Sequence, residues 1–127
     1  MNPDKNTFSQ QDLRGHSFAG QDLTHADFSE SDLRTTPDTS SPTTADNILR
    51  TDFTNATLTS SRFVKVRANR ALFVDTNLSG ADLTRADFTQ ADFTGADLSD
   101  ANLTGATIDR TNFALTNRTG TIGLEEV

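Results

Sequence analysis

The sequence contains no cysteine, tryptophan or tyrosine, a single methionine, and only three prolines in 127 residues. Without cysteine there is no disulfide framework to staple a small fold, and no thiolate to act as nucleophile or metal ligand. Histidine is nearly as scarce. His16 and His25 are the only two, so both a helical His pair with zinc spacing and a placed imidazole base beside a serine are missing. No run approaches the roughly 18 consecutive apolar residues of a membrane span, and the opening "MNPDKNTF" carries no hydrophobic signal segment. A cytoplasmic chain with no membrane partner is therefore expected. A phosphate-cradling glycine loop is lacking as well, because Gly80, Gly95 and Gly105 recur at one position of a short repeat. These gaps leave catalysis without candidates: no catalytic, cofactor-binding or metal-binding residue is assigned, and no enzyme is expected.

What the chain does have is a period of five, plainest in "ADLTRADFTQADFTGADLSDANLTGATI" from Ala81 to Ile108. In each unit the first position is Ala, the second Asp, Asn or Thr, and the third Leu, Phe or Ile, followed by two small or polar residues. All 9 Phe of the chain occupy the third position, which scattered placement would not produce. An α-helix would turn each successive large residue by roughly 140° and smear the apolar set around its surface. A long flat strand would send successive large residues to opposite faces, since its side chains alternate with period two. A short extended piece followed by a turn every five residues keeps first and third positions inward throughout, so the chain must coil around its own Phe and Leu. A thin core of that kind suits the 33% apolar content, which is low for a thick globular core.

These residues resemble the pentapeptide-repeat proteins, whose motif is a small residue, Asp or Asn, Leu or Phe, and two variable residues. The resemblance covers residues 6–33 and roughly 51–118 and is strictest over 76–113. It implies an all-β fold: a right-handed quadrilateral β-solenoid with one pentapeptide per side, twenty residues per coil and about five coils, without enzymatic activity. A single domain over 1–127 is expected. It divides into a first repeat block (6–33), an inserted loop (34–47), a main repeat block (48–118) and a C-terminal tail or cap (119–127). The insertion "RTTPDTSSPTTADN" is composed like a flexible surface loop, and the repeat resumes in phase at Ile48, although Ile48 and Asp46 match the motif poorly. Asn6, Gln11, His16 and Gln21 fill the small inward position of the first coil and read as a polar lid over the open end. In the tail, Ile122, Leu124 and Val127 fold over the last coil or supply a homodimer contact.

The net charge is -7, and most Asp fall at the outward second position, including Asp12, Asp22, Asp27, Asp32, Asp82 and Asp87. Some pentapeptide-repeat proteins protect DNA gyrase by mimicking DNA, and such mimicry wants continuous acidic rows. With twenty residues per coil, Asp82 stacks between Arg62 and Asn102, Asp87 between Arg67 and Thr107, and Asp97 between Asn77 and Asn117, which avoids like-charge repulsion. Short Asp and Asn side chains also bond backbone N–H groups at tight turns. Asp12 and Asp32 alone stack without an intervening cation. In the cluster Arg62, Lys65, Arg67 and Arg70, Arg62 and Arg67 face Asp82 and Asp87, and the cluster lacks interleaved exposed aromatics, so direct nucleic-acid binding is not expected. Two functional readings follow. The first is a non-catalytic protein-interaction or scaffold module whose candidate surface is Asp12, Asp22, Asp27, Asp32, Pro37, Asp38 and Pro42. The second is a DNA mimic that binds or protects a type II topoisomerase.

Overall fold

The computed structural model describes residues 7–39 and 47–124. Its backbone is a right-handed, four-sided solenoid of five coils, held by parallel single-residue bridges between second-position residues: Asp82 pairs with Asn102, Asp87 with Thr107, Asp92 with Asn112 and Asp97 with Asn117. Four sides follow from this register. Side 1 carries Thr7, Asp27, Arg62, Asp82, Asn102 and Ile122 as its outward residues; side 2 carries Asp12, Asp32, Arg67, Asp87 and Thr107. Side 3 carries Ser17, Asp52, Leu72, Asp92 and Asn112, and side 4 carries Asp22, Thr57, Asn77, Asp97 and Asn117.

The five-residue period is a hydrogen-bonding solution. Third- and fifth-position N–H groups donate to the coil ahead, as Phe63 does to Asp82 O (2.7 Å) and Lys65 to Thr84 O (3.0 Å). The second-position N–H donates to the coil behind, and the first-position N–H closes the corner onto the carbonyl three residues back, as in Ala91 to Phe88 O (2.9 Å). That corner is a β-turn whose third residue must be left-handed. The fifth position accordingly has positive φ whether it is Gly95 (72°) or Gln90 (60°). Only the fourth-position N–H is left over. The second-position side chain takes it: Thr94 N–H donates to Asp92 Oδ1 (2.9 Å), and Ser79 N–H to Asn77 Oδ1 (3.0 Å). Asp or Asn at the second position thus supplies the acceptor that the coil's backbone lacks, and an N–H left unpaired is costly; where Arg62 takes that position, the Val64 N–H turns to Ser29 Oγ (3.3 Å) instead.

Inside, the Phe rings form a continuous ladder. Phe18, Phe53, Phe73, Phe93 and Phe113 stack along side 3 with centroids 4.7 to 5.5 Å apart. Neighbouring columns meet edge to face, as Phe53 does with Phe63 (5.6 Å, 77°), the geometry that ring quadrupoles favour. Phe28, Phe53, Phe63, Phe73, Phe88 and Phe93 have no exposed surface. At Val66 and Ala68 the small and large inward residues are exchanged, and both stay buried.

Of the loop expected over 34–47, residues 40–46 lie outside the described residues, and the described ends are ordered. Its base is a short antiparallel hairpin of β1 (Thr36–Pro37) and β2 (Ile48–Leu49), with Thr36 opposite Leu49 and Pro37 opposite Ile48. Ile48 is therefore not an inward residue of a resumed repeat. It is 40% exposed, and inward packing resumes at Thr51 and Phe53, where Ser17 pairs with Asp52. The hairpin is seated by Thr51, which is fully buried: its Oγ1 accepts the Gly15 N–H (2.9 Å) and lies 3.2 Å from Arg34 O. Gly15 is required there. A Cβ would stand 2.6 Å from Thr36 Cγ2 and 2.9 Å from Leu49 Cβ, at a φ of 73°.

The tail also differs. Ile122 does not fold over the last coil but continues the ladder outward on side 1, paired with Asn102 and 53% exposed. Leu124 packs against the core as expected, and Val127 lies outside the described residues. No helix among them is long and apolar enough to cross a membrane.

Candidate interaction surface

The solenoid distributes the candidate acids rather than gathering them. Asp12 and Asp32 are neighbours on side 2, Asp27 lies on side 1 and Asp22 on side 4. Pro37 sits in β1, and Asp38 donates its N–H to Asn47 O (3.0 Å) at the next step of the hairpin. Pro42 falls outside the described residues.

Asp12 and Asp32 do stack, but the expectation that no cation accompanies them is corrected by the side chains two residues on. Arg14 grips Asp12 with two parallel bonds, Nε to Oδ1 and Nη2 to Oδ2, both 2.9 Å. Arg34 grips Asp32 the same way at 2.8 Å. This fork geometry matches guanidinium to carboxylate. The pairing and the Arg14 backbone N–H hold the Asp12 carboxyl at about 2, below its usual 3.8. Asp32 is likewise lowered, first by its bond from Arg34. Arg67 was expected to face Asp87. Its guanidinium instead lies 3.9 Å from Asp32, while Asp87 accepts bonds from Thr89 Oγ1 (2.6 Å) and Asn69 Nδ2 (3.3 Å). Burial pushes the Asp87 carboxyl up, but these bonds outweigh it and its pKa falls. Arg62 does face Asp82, at 3.9 Å. Asp22 is tied to Thr24 Oγ1 (2.7 Å), which lowers its pKa, and Asp27 accepts the Ser29 N–H (2.9 Å).

One feature of the surface was not legible in the linear pattern. Because the excursion offsets the first block, partners across it lie 35 residues apart, as Ser17 and Asp52 or Asp22 and Thr57 do. With that offset, sides 3 and 4 and their corners collect Asp22, Asp52, Asp75, Asp92, Asp97 and Asp100. Among the described residues, Arg118 is the one Lys or Arg within these two sides, and Arg70 and Arg110 stand at the corner that leads into side 3. Sides 1 and 2 hold the Arg residues paired with Asp12, Asp32 and Asp82. Counting the phase modulo twenty after removing fifteen residues would have found this segregation.

A family model described as pentapeptide repeats matches the chain in 8 copies over residues 7–36 and 71–110, more than half its length. The unmatched stretch from 51 to 70 includes Arg62, Arg67 and the exchanged Val66 and Ala68, yet it coils like the rest. No curated protein matches significantly. Among solved structures, the chain is similar to the pentapeptide repeat protein Rfr23 from the cyanobacterium Cyanothece 51142, with a TM-score of 0.59 at 18% identity over 93% of this chain and 91% of that one. It is also similar to full-length QnrB1, a plasmid-mediated fluoroquinolone resistance protein, with a TM-score of 0.50 at 18% identity. That match covers 83% of this chain but 57% of QnrB1. At these identities the likenesses establish the shared fold.

Proposed function

The chain belongs to the pentapeptide-repeat family, and from that premise we propose that it is a non-catalytic protein-interaction or scaffold module of the cytoplasm. One observation carries this reading: the base of the excursion is a paired ladder of β1 and β2 with a built seat. Gly15 and Thr51 lock its base to the first two coils, so Ile48 and Leu49, 40% and 41% exposed, project from a fixed point on a rigid prism. The outward acids, by contrast, are largely engaged in holding the fourth-position N–H groups or in gripping Arg. Contacts between copies fall to the C-terminal end, where Ile122 is exposed.

The second reading, a DNA mimic acting on a type II topoisomerase, is favoured by the segregation of Asp22, Asp52, Asp75, Asp92, Asp97 and Asp100 onto adjacent sides, and by the fold shared with a fluoroquinolone resistance protein. Interruption by Leu72, Thr57 and Asn77 weighs against it, since these break every acidic row on those sides. A photo-crosslinking residue placed at Ile48 or at Asp97 separates the two. The scaffold reading expects partner capture from Ile48. The mimic reading expects purified gyrase to be captured from Asp97 at low salt and released as ionic strength screens the exposed charges. A supercoiling assay with and without a quinolone completes the test. Protection at micromolar protein would overturn the scaffold reading, and we expect none.

A further inference from the structure

The repeat breaks its own rule on one coil. From Thr7 to Asn117 every other bridged second position is Asp, Asn, Ser or Thr, but Arg62, Arg67 and Leu72 take it on three consecutive sides of the coil 61–80. The exchange has a cost. Val64 N–H falls back on Ser29 Oγ (3.3 Å), and the Asn69 and Val74 N–H groups have no hydrogen-bond partner among the described residues. Unpaired N–H groups are unfavourable, and natural sequences break local rules of this kind at functional sites.

The replacements form one band. Around side 2 and onto side 3 the coil presents Lys65, Arg67 and Arg70, all exposed, and then Leu72 and Val74, both partly exposed. The cations are poorly neutralised. Arg67 reaches Asp32 only at 3.9 Å, and Lys65 and Arg70 make no ion pair among the described residues. Glu30, one coil before Lys65, is bonded by Gln10 Nε2 (3.2 Å). At the corner between sides 2 and 3 a further guanidinium joins them: Arg50 Nε donates to Arg70 O (2.5 Å), beside the point where the exposed Ile48 and Leu49 leave the prism.

We propose that this band, from Lys65 to Val74 with the hairpin base beside it, docks an extended acidic segment of a partner protein that also carries large apolar side chains. The inference rests on the protein-interaction reading and names the chemistry of its partner. Charge complementarity selects the occupant. Carboxylates pair with the Arg50, Arg67 and Arg70 guanidiniums, whose fork suits them, while apolar side chains cover Leu72 and Val74. Adjacent coils lie about 4.8 Å apart, and the two flanking ones put Asp52 and Asp92 beside Leu72. A single strand can follow the one coil between them. A flat anionic surface, whether a bilayer or sides 3 and 4 of a second copy, would bring those carboxylates up against its own charge. Nucleic acid would find no exposed aromatic on which to stack its bases, since every Phe packs in or against the core.

Fluorescence anisotropy with labelled synthetic peptides tests this on the full chain. A peptide alternating Glu and Leu should bind at least about tenfold more tightly than one alternating Glu and Ser, and binding should weaken with salt. The informative variants restore the repeat's own residue. Arg67→Asn and Leu72→Asn should each weaken binding by at least about tenfold without lowering Tm, because the Asn69 and Val74 N–H groups regain an acceptor. Arg70→Ala should weaken binding at unchanged Tm, and Arg118→Ala, on side 4, should leave binding as it is. Equal binding of the Glu and Ser peptide, tighter binding of duplex DNA or of phosphatidylserine vesicles, or no binding at millimolar peptide overturns the proposal. So does unchanged affinity in Arg67→Asn, Leu72→Asn and Arg70→Ala. A partner captured from Ile48 that ignores those three substitutions overturns it as well and leaves the protein-interaction reading standing.

Discussion

Replacing Ser61 by Ala should stabilise the protein, against the usual direction of core truncations. Ser61 occupies a first position that is 1% exposed, in a column where Ala26, Ala81 and Ala101 are its counterparts. Its Oγ is the one buried side-chain polar atom without a hydrogen-bond partner among the described residues. An orphaned buried hydroxyl costs about 1 to 3 kcal/mol. Removing one oxygen forfeits a few dispersion contacts of about 0.1 to 0.2 kcal/mol each. The net expectation is a gain of about 1 kcal/mol, or roughly 3 to 6 °C in Tm for a chain of this size. Thr76→Ala is the matched control. Thr76 is equally buried, but its Oγ1 donates to Phe53 O (2.7 Å), so truncation loses that bond, leaves the carbonyl to the Ala56 N–H alone, and removes a methyl, for a loss of about 1 to 2 kcal/mol. Paired denaturant melts read both changes. If Ser61→Ala destabilises, or if the two variants shift alike, the reasoning about the orphaned hydroxyl is wrong.

Phe93 stacks on Phe73 at 4.7 Å and has no exposed surface, so Phe93→Ala should cost about 3 to 5 kcal/mol. Arg85→Ala, at an exposed corner, should stay within about 0.5 kcal/mol, and equal effects in denaturant melts would refute the inward assignment. Gly15→Ala puts a Cβ against Thr36 and Leu49 at a left-handed φ; we expect a loss of about 2 kcal/mol with amide shifts confined to the hairpin and its seat, and unchanged spectra would show that the seat is not tight. Asp12, Asp22, Asp32 and Asp87 all have lowered pKa values. Their stabilisation is therefore complete above the unfolded-state value of 3.8 and is lost as pH falls toward about 2, where Asp12 titrates. Tm should fall over that window and less so in Asp32→Asn; a Tm flat between pH 4 and pH 2 would contradict the assignment.

The sequence by itself determined the coil. Period five is incompatible with a helix or a flat strand, so the inward set of Phe88, Phe93 and Leu98 and the left-handed corners at Gly80 and Gly95 follow from local geometry alone. Stacking within the main block was legible too, because Asp82 finds Arg62 and Asn102 by counting twenty residues. Tertiary structure decided what counting does not reach. Arg67 turns back to Asp32 rather than toward Asp87 because a long side chain chooses among neighbours on either coil. Ile48 keeps the repeat's phase yet leaves the core, since the hairpin needs it opposite Pro37. The segregation of acids onto sides 3 and 4 appears only once the point where the excursion rejoins the coil is known. That point is fixed by Gly15 and Thr51, which are contacts in space between residues far apart in the chain.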